Sequence, residues 1–482
     1  MSKCAGCILW LLPVIFFAVH GGAQSYHAFN GSPYAGVTAM YSNPSATVNQ
    51  AYKWDVTLLG FQAALSNNAF TVNNNSVLQT TGSTLNITNG IRPRYLYAST
   101  DLNLLNARYS INTNNAVGFG FRLRSYNYVK TAPFYYNDTI TSMHGFLHAN
   151  NNINFLDGYG THTGWAEINF NYAHVIFTSA SSLLSAGITL SYLKSLSGAF
   201  AVLSHANYTE TKQPNGNYTY AFNQAGISAA YSANYLISAN GNSSSQNLRN
   251  FLSQAPSSAG IDIGAEYLLR TSLPADDKDV DASNYDWKIG VSIMDIGRNN
   301  FNPIQGSFNA NRPLGVADSV IQQKIQNVKN IRQAQDSLAT IFASLAPLQN
   351  KFHISLPTRL IINIDHSLGS HFFVNCELSL NFYSTAPAAT LHTRELNLLT
   401  ITPRWETQAW GVYLPVQYNT QGQFWLGGAV KLGPLLLGVH NLNIMQWFKT
   451  GAQTYNGGGY ILLSIHPFNH PVQKIRELDC PK

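Results

Sequence analysis

The side chains able to do chemistry are few. Asp277, Asp279 and Asp281 form a D-x-D-x-D run of the kind that opens a calcium loop. Ala282 stands where that loop needs glycine, and no glutamate follows to complete the shell, so the run reads as an acidic hairpin loop. His366 and His371 lie five apart beside Asp365, a spacing that forces no shared metal site in a strand or turn. No G-x-S-x-G elbow, P-loop, H-E-x-x-H or paired C-x-x-C occurs. Cys376 and Cys480, the cysteines left after an N-terminal cleavage, have no metal-ligand spacing and are expected to be two free thiols. The expectation is a non-enzyme with no cofactor and no metal. Arg122, Arg124 and Glu377 are the charges worth following, because each falls on the small or polar face of an alternating segment.

Those faces belong to strands. From Val117 to Tyr128 one side carries Val117, Phe119, Phe121 and Leu123, and the other Gly118, Gly120, Arg122 and Arg124. Successive side chains of a strand point to opposite faces, so one face is apolar and the other small or charged. Leu102–Ile111 and the polar turn Asn112-Thr113-Asn114-Asn115 supply the preceding arm of a hairpin. In Trp165–Phe177, Ala166, Ile168, Phe170 and Tyr172 oppose Glu167, Asn169 and Asn171. Similar segments follow at Trp54–Leu65, Gly187–Ser195, Gly226–Tyr235 (after the turn Asn215-Gly216), Gly260–Leu269, Trp287–Ile296 and Leu360–Ile364. They continue through Phe372–Phe382, Leu396–Trp405, Trp410–Tyr418, Phe424–Leu432, Leu435–Leu442 and Gly459–Phe468. The total is roughly 14 strands, with boundaries drifting by a few residues.

Composition says what the alternation faces. Charged residues make up 10% of the chain, against about 25% in soluble domains, while 26 Tyr and 25 Phe are present. Strands alternating apolar-out and polar-in would keep charge low and mean hydropathy near neutral. Strands of about 9–11 residues cross a bilayer when tilted, and closing them satisfies every backbone group. The predicted fold is therefore all-β, a transmembrane antiparallel β-barrel over residues 54–468. A soluble β-sandwich or propeller is the competing reading. The net charge of +6 is too mild and dispersed to indicate nucleic acid. On a barrel, Arg122, Arg124 and Glu377 would line the lumen, filling it, lining a channel or holding a plug. Trp410, Trp425 and Trp447 would sit in interfacial girdles or cradle a ligand.

The ends differ from the body. Lys3, the apolar run Ile8–Val19 and Gly21-Gly22-Ala23 read as a signal peptide over residues 1–23, too short to span a bilayer, which takes about 20 apolar residues. Residues 24–53 lack periodicity and contain Asn43-Pro44-Ser45; Pro44 restricts Asn43 to extended backbone, so a turn or strap is expected rather than a helix. Placed before the first strand, this strap would obstruct the lumen, with Asn43 and Pro44 in a gate. From Asp318 to Leu345, Ile321, Ile325, Val328, Ile331, Leu338, Phe342 and Leu345 recur in steps mostly of three, four or multiples of them. That pattern predicts one amphipathic helical insertion over 318–346, capped by Asp318 and closed by Pro347. It would pack on the rim, act as a plug, or dock an envelope protein. Residues 469–482 form a polar tail.

Several phrases resemble known barrels. Asn43-Pro44-Ser45 resembles the N-terminal "NPA" element of FadL-like outer-membrane barrels, with Ser45 where that element has alanine. Gly187–Lys194, Gly260–Tyr267, Gly290–Gly297, Thr402–Glu406, Tyr413–Val416 and Lys431–Leu435 are similar to strands of a large Bacteroidota family of unknown function placed among those barrels. The resemblance spans the mature chain. It implies an outer-membrane location in a Gram-negative cell and a plugged barrel of 14 strands contacting outer-membrane lipid. It also implies a hydrophobic or other small-molecule ligand, or else a scaffold for secreted or envelope proteins. No ligand-binding residue is carried over from it.

Overall fold

The computed structural model describes residues 28–74, 84–179, 181–234, 244–270, 284–315, 317–325, 328, 330–387, 390–442, 451, 453–454 and 456–467. The expected signal peptide, Asp277–Asp281, Trp447, Cys480 and the tail 469–482 lie outside the described residues.

Fourteen antiparallel strands close into a barrel. In chain order they are β1 Trp54–Asn67, β2 Tyr95–Asn112, β3 Asn115–Thr131, β4 Leu156–Thr178, β5 Ser182–Lys212, β6 Ser257–Leu269 and β7 Trp287–Phe301. The wall continues with β8 Arg359–Gly369, β9 Phe372–Asn381, β10 Leu398–Glu406, and β11, made of Trp410–Tyr413 and Val416–Asn419. It ends with β12 (Phe424–Leu426 and Gly428–Leu432), β13 Leu435–Val439 and β14 Gly457–Ile465. Closure comes from β14 pairing with β1, where Phe61 faces Ile461 and Gln62 faces Tyr460. No edge is left in the wall, which is what a lipid environment requires of a sheet.

The alternation sorts as predicted. Val117 and Phe119 are exposed outward while Arg122, Arg124, Glu167 and Asn169 are buried inward. Outward leucines, isoleucines, valines and phenylalanines run round the wall, among them Leu59, Phe170, Leu190, Ile263, Val291 and Val412. Trp54, Tyr109, Tyr172, Trp287 and Trp410 are exposed on this outer surface at one end, placed there by the register of their strands. An aromatic band of this kind marks the edge of an apolar belt. Trp425, expected either in such a girdle or cradling a ligand, points inward and is 2% exposed, so it is not part of the girdle.

The two ends are unlike. At the Trp54 end, β2–β3, β8–β9, β10–β11 and β12–β13 are joined by tight turns. At the other end most connections are long, the four-residue turn between β11 and β12 excepted, and β4, with 23 residues, and β5 outgrow the wall. β5 has 31 residues, about 100 Å if straight, against a hydrocarbon core of about 30 Å. Its first half pairs with β6; its second half leaves the wall and pairs with Tyr218–Tyr231 across the turn at Gly216, whose φ is +83°. Phe308–Pro313 and Phe342–Pro347 extend that outer sheet. Of the segment Gly226–Tyr235, predicted as a wall strand, Gly226–Tyr231 therefore belongs to this projection, and Tyr235 lies outside the described residues.

The predicted single helix over 318–346 is corrected. Asp318–Ile325 and Ile331–Ala339 are separate helices, and Phe342–Pro347 is a strand. Asn330 interrupts the run by capping the second helix, its side chain accepting from the Gln333 N–H at 3.0 Å. Past Ala339 the backbone pairs with Phe308–Pro313, so Leu345 sits in a sheet and Pro347 ends a strand.

Candidate gate and ligand cavity

Residues 28–53 fill the lumen next to the short-turn end. The predicted strap folds as two short 3-10 helices, Gly36–Tyr41 and Pro44–Val48, buried along their length. This corrects the non-helical reading, although the local argument at Asn43-Pro44 survives. Asn43 is extended at φ −151°, ψ 112°, with Pro44 in the first helical position. The Asn43 side chain accepts from the Ser45 N–H at 3.1 Å and donates to the Ala265 carbonyl on β6 at 3.0 Å.

The wall makes room by omitting side chains. A Cβ on Gly187 would fall 2.4 Å from the Pro44 carbonyl carbon, and one on Gly120 2.1 Å from the Tyr41 hydroxyl. At Gly264 and Gly290 it would fall 2.1 and 2.8 Å from the Asn43 amide. Four strands thus carry inward glycines beneath the plug, a use of glycine for close backbone approach.

Polar contacts fix it there. The Asn30 amide donates to Glu377 at 2.8 Å, the Ser32 hydroxyl to Glu406 at 2.7 Å, and the Asn49 amide to Glu266 at 2.7 Å. The Val37 N–H donates to Asp55, which pairs with Arg108 at 2.6 Å. Arg108 donates in turn to the Thr47 and Tyr52 carbonyls, inside the segment and at its junction with β1. Where the segment enters β1, the buried Lys431 lies 3.2 Å from the Tyr52 hydroxyl and 5.0–5.8 Å from the rings of Tyr34, Phe29 and Tyr52. The two voids described between segment and wall hold about 10 and 20 Å³, room for about one water each.

The predicted lumen residues divide. Arg122 lies 3.9 Å from the Tyr41 ring while pairing with Asp101 and with Glu167 at 3.1 Å. Glu377 holds Asn30. Arg124 shares the carboxylates of Arg122, at 3.9 Å from Asp101 and 3.6 Å from Glu167, and also meets Asp295, which is 3.6 Å from Arg359, itself 2.7 Å from Glu395. His366 and His371 are not brought together: His366 stacks on Trp287 at 4.0 Å, and His371 is exposed in a turn. Asp365, beside His366, is instead paired with Arg404 at 2.6 Å, inside the lumen. Asp55, Arg108, Glu266, Arg404, Glu406 and the glycine seat were not singled out from sequence; their signal was their place on inward faces.

The long-loop end holds a different site. A cavity of about 210 Å³ is lined by Met143, Phe146, Leu156, Leu203, Phe222, Ala225, Ile227, Ile321, Leu338 and Phe342, with little polar surface. The helix Met143–Ala149 covers it, capped by Ser142. Its other side is tied down by His144 to Asp318 and His148 to Glu210, each at 3.0 Å. Leu203 also lines a neighbouring open vestibule of about 1080 Å³ containing Lys130, Tyr159, Phe200, His353 and Arg394.

Three solved structures are similar in outline. The toluene transporter TbuX of Ralstonia pickettii shares 11% identity over 93% of this chain and 98% of its own, with a TM-score of 0.39. The P. putida toluene transporter TodX shares 10% identity over 91% of this chain and 95% of its own, at 0.42. A Pseudomonas aeruginosa FadL homologue shares 10% over 92% and 98%, at 0.41. No curated protein matches the sequence. A profile described as "Family of unknown function (DUF5723)" matches residues 44–439, from Pro44 in the plug to the end of β13, and the chain belongs to that family.

Proposed function

We propose that this protein is an outer-membrane barrel that captures small apolar molecules at its long-loop end and passes them inward when the segment 28–53 moves. The observation that carries the reading is the apolar cavity near Phe146 and Phe222. A dry cavity of about 150 Å³ lined by Leu, Ile and Phe is enough to bind benzene. At about 210 Å³, this one suits a ligand somewhat larger, with no charge to desolvate. Asn43 and Pro44 then belong to the gate, and Arg122 and Glu377 to its seat. The short-turn end faces the periplasm and the long-loop end the exterior, as in bacterial barrels generally. Residues 1–23 serve as the export signal, and the outward apolar belt contacts membrane lipid. The transported compounds of TbuX and TodX agree with an apolar ligand class.

The alternative, a scaffold docking an envelope protein through Asp318–Leu345 or the extracellular loops, has less support on the Asp318–Leu345 side. Ile321, Ile331 and Leu338 pack into the chain's own core with Phe308, Ile341 and Phe342.

The test is native mass spectrometry of protein gently extracted from outer membranes, beside the cavity-filling variant Ala225→Trp. A stoichiometric small hydrophobic molecule on the native protein, missing from the variant, is expected. An empty native cavity, with a stoichiometric protein partner instead, would overturn the proposal.

A further inference from the structure

The helix Ser244–Gln254 connects the outer sheet to β6 and carries Leu248, Phe251 and Leu252 on one stripe. Leu248 is 59% and Leu252 40% exposed while Phe251 is half-buried, so the two leucines are not spent on the protein's own core. Two leucines four apart on an exposed helix face are neighbours on its surface.

The height of this helix is set by the wall. The Ser195 N–H on β5 donates to the Pro256 carbonyl at 2.9 Å, two residues beyond the helix. Ser257, the first residue of β6, faces Lys194 in register and meets the Tyr192 hydroxyl at 2.7 Å. Tyr192 continues the outward row of Ile188 and Leu190, all three exposed, and Lys194 follows on the same face. A tyrosine and then a lysine closing an apolar row mark where a wall leaves hydrocarbon for headgroups. Gln254 lies within about 10 Å of that height along the chain. The C-terminal end of the exposed stripe is thus tied close to the upper edge of the lipid-facing surface.

We propose that the helix Ser244–Gln254 lies on the outer leaflet, with Leu248 and Leu252 in the acyl boundary and Arg249 turned to the lipid phosphates. The occupant of the face is lipid. A helix that is polar around most of its surface and carries one short apolar stripe is suited to lie in the interface without crossing it.

The test uses single nitroxide labels in a Cys376→Ser, Cys480→Ser background, in protein of residues 24–482 reconstituted into phosphatidylethanolamine–phosphatidylglycerol vesicles. Labels go at Leu248→Cys, Arg249→Cys, Leu252→Cys, the belt control Leu190→Cys and the loop control Asn215→Cys. Oxygen and a water-soluble nickel chelate report the depth of each. A ratio of oxygen to nickel accessibility at 248 and 252 severalfold above that at 249, and close to that at 190, is expected. Nickel-dominated accessibility at 248 and 252, as at 215, overturns the proposal. So does protection from both reagents, which would mark a protein surface over the helix.

Discussion

The lumen and the outer sheet solve opposite packing problems. Around residues 28–53 the contacts are charged and directional: Glu377, Glu406, Glu266 and Asp55 each hold a named plug group, and inward glycines leave the plug little room to shift. At the long-loop end the lining is Met, Phe, Leu, Ile and Ala around open space. A buried polar group is costly to leave unpaired, so the plug has one well-defined seated position. Apolar contacts carry no such direction, so the outer cavity can accept ligands of different shapes. Under the proposed function, selection of ligand and control of passage would sit in different parts of the chain.

The most forceful way to break the comparison is at the seat. Gly187→Leu places a side chain where the Pro44 backbone already lies. Overpacking of this kind costs about 1–3 kcal/mol, and here the overlap is with backbone, which cannot rotate aside, so the seated position of the plug is disfavoured. Small-solute leakage from liposomes should rise to the level of a deletion of residues 24–50, with heat-modifiable mobility in gels retained. Unchanged leakage would mean that the wall, not the plug, yields.

Arg404→Ala strands Asp365 and Glu406, both fully buried, and should cost about 3–5 kcal/mol. Arg298→Ala, at an exposed position, should change stability by little. Denaturant midpoints of refolded protein compare the two. In the outer cavity, Ala225→Trp should abolish binding of an apolar fluorophore at a cost of about 1–3 kcal/mol in stability. It should leave the leakage of polar solutes untouched; a change in leakage would couple the two regions directly.

The smallest effect is local to the plug. Asn43→Ala removes a helix cap and the bond to the Ala265 carbonyl. A cap of this kind is worth about 0.5–2 kcal/mol, so leakage should rise modestly and stay well below that of Gly187→Leu.

Sequence reading went furthest where two solvents impose a period of two. Val117–Leu123 shows its lipid face and its lumen face because each responds to one environment, and the same logic found most wall strands, though it counted Gly226–Tyr231 among them, and placed Arg122, Arg124 and Glu377 inward. It failed where tertiary partners decide. Ile321, Ile331 and Leu345 keep helical spacing, yet Asn330 caps a new helix and Leu345 pairs in a sheet. Gly118 and Gly120 were visible as small residues on an inward face, but only Met40 and Tyr41 above them explain why. The cavity was illegible, because Phe146, Leu203, Phe222 and Phe342 come from separate loops and strands that meet only in the folded chain.

The central claim is that passage requires residues 28–53 to leave their seat. The Asn49 amide and the Ser185 hydroxyl, 3.0 Å apart across the plug–wall boundary, give a place to tether it: Asn49→Cys with Ser185→Cys, in a Cys376→Ser, Cys480→Ser background. The measurement is uptake of a radiolabelled monoaromatic hydrocarbon into proteoliposomes containing an enclosed trap, before and after reduction. Uptake at the empty-liposome rate when oxidised, restored by reduction, is the result expected. Equal, protein-dependent uptake in both states would contradict the account and place the route elsewhere in the wall.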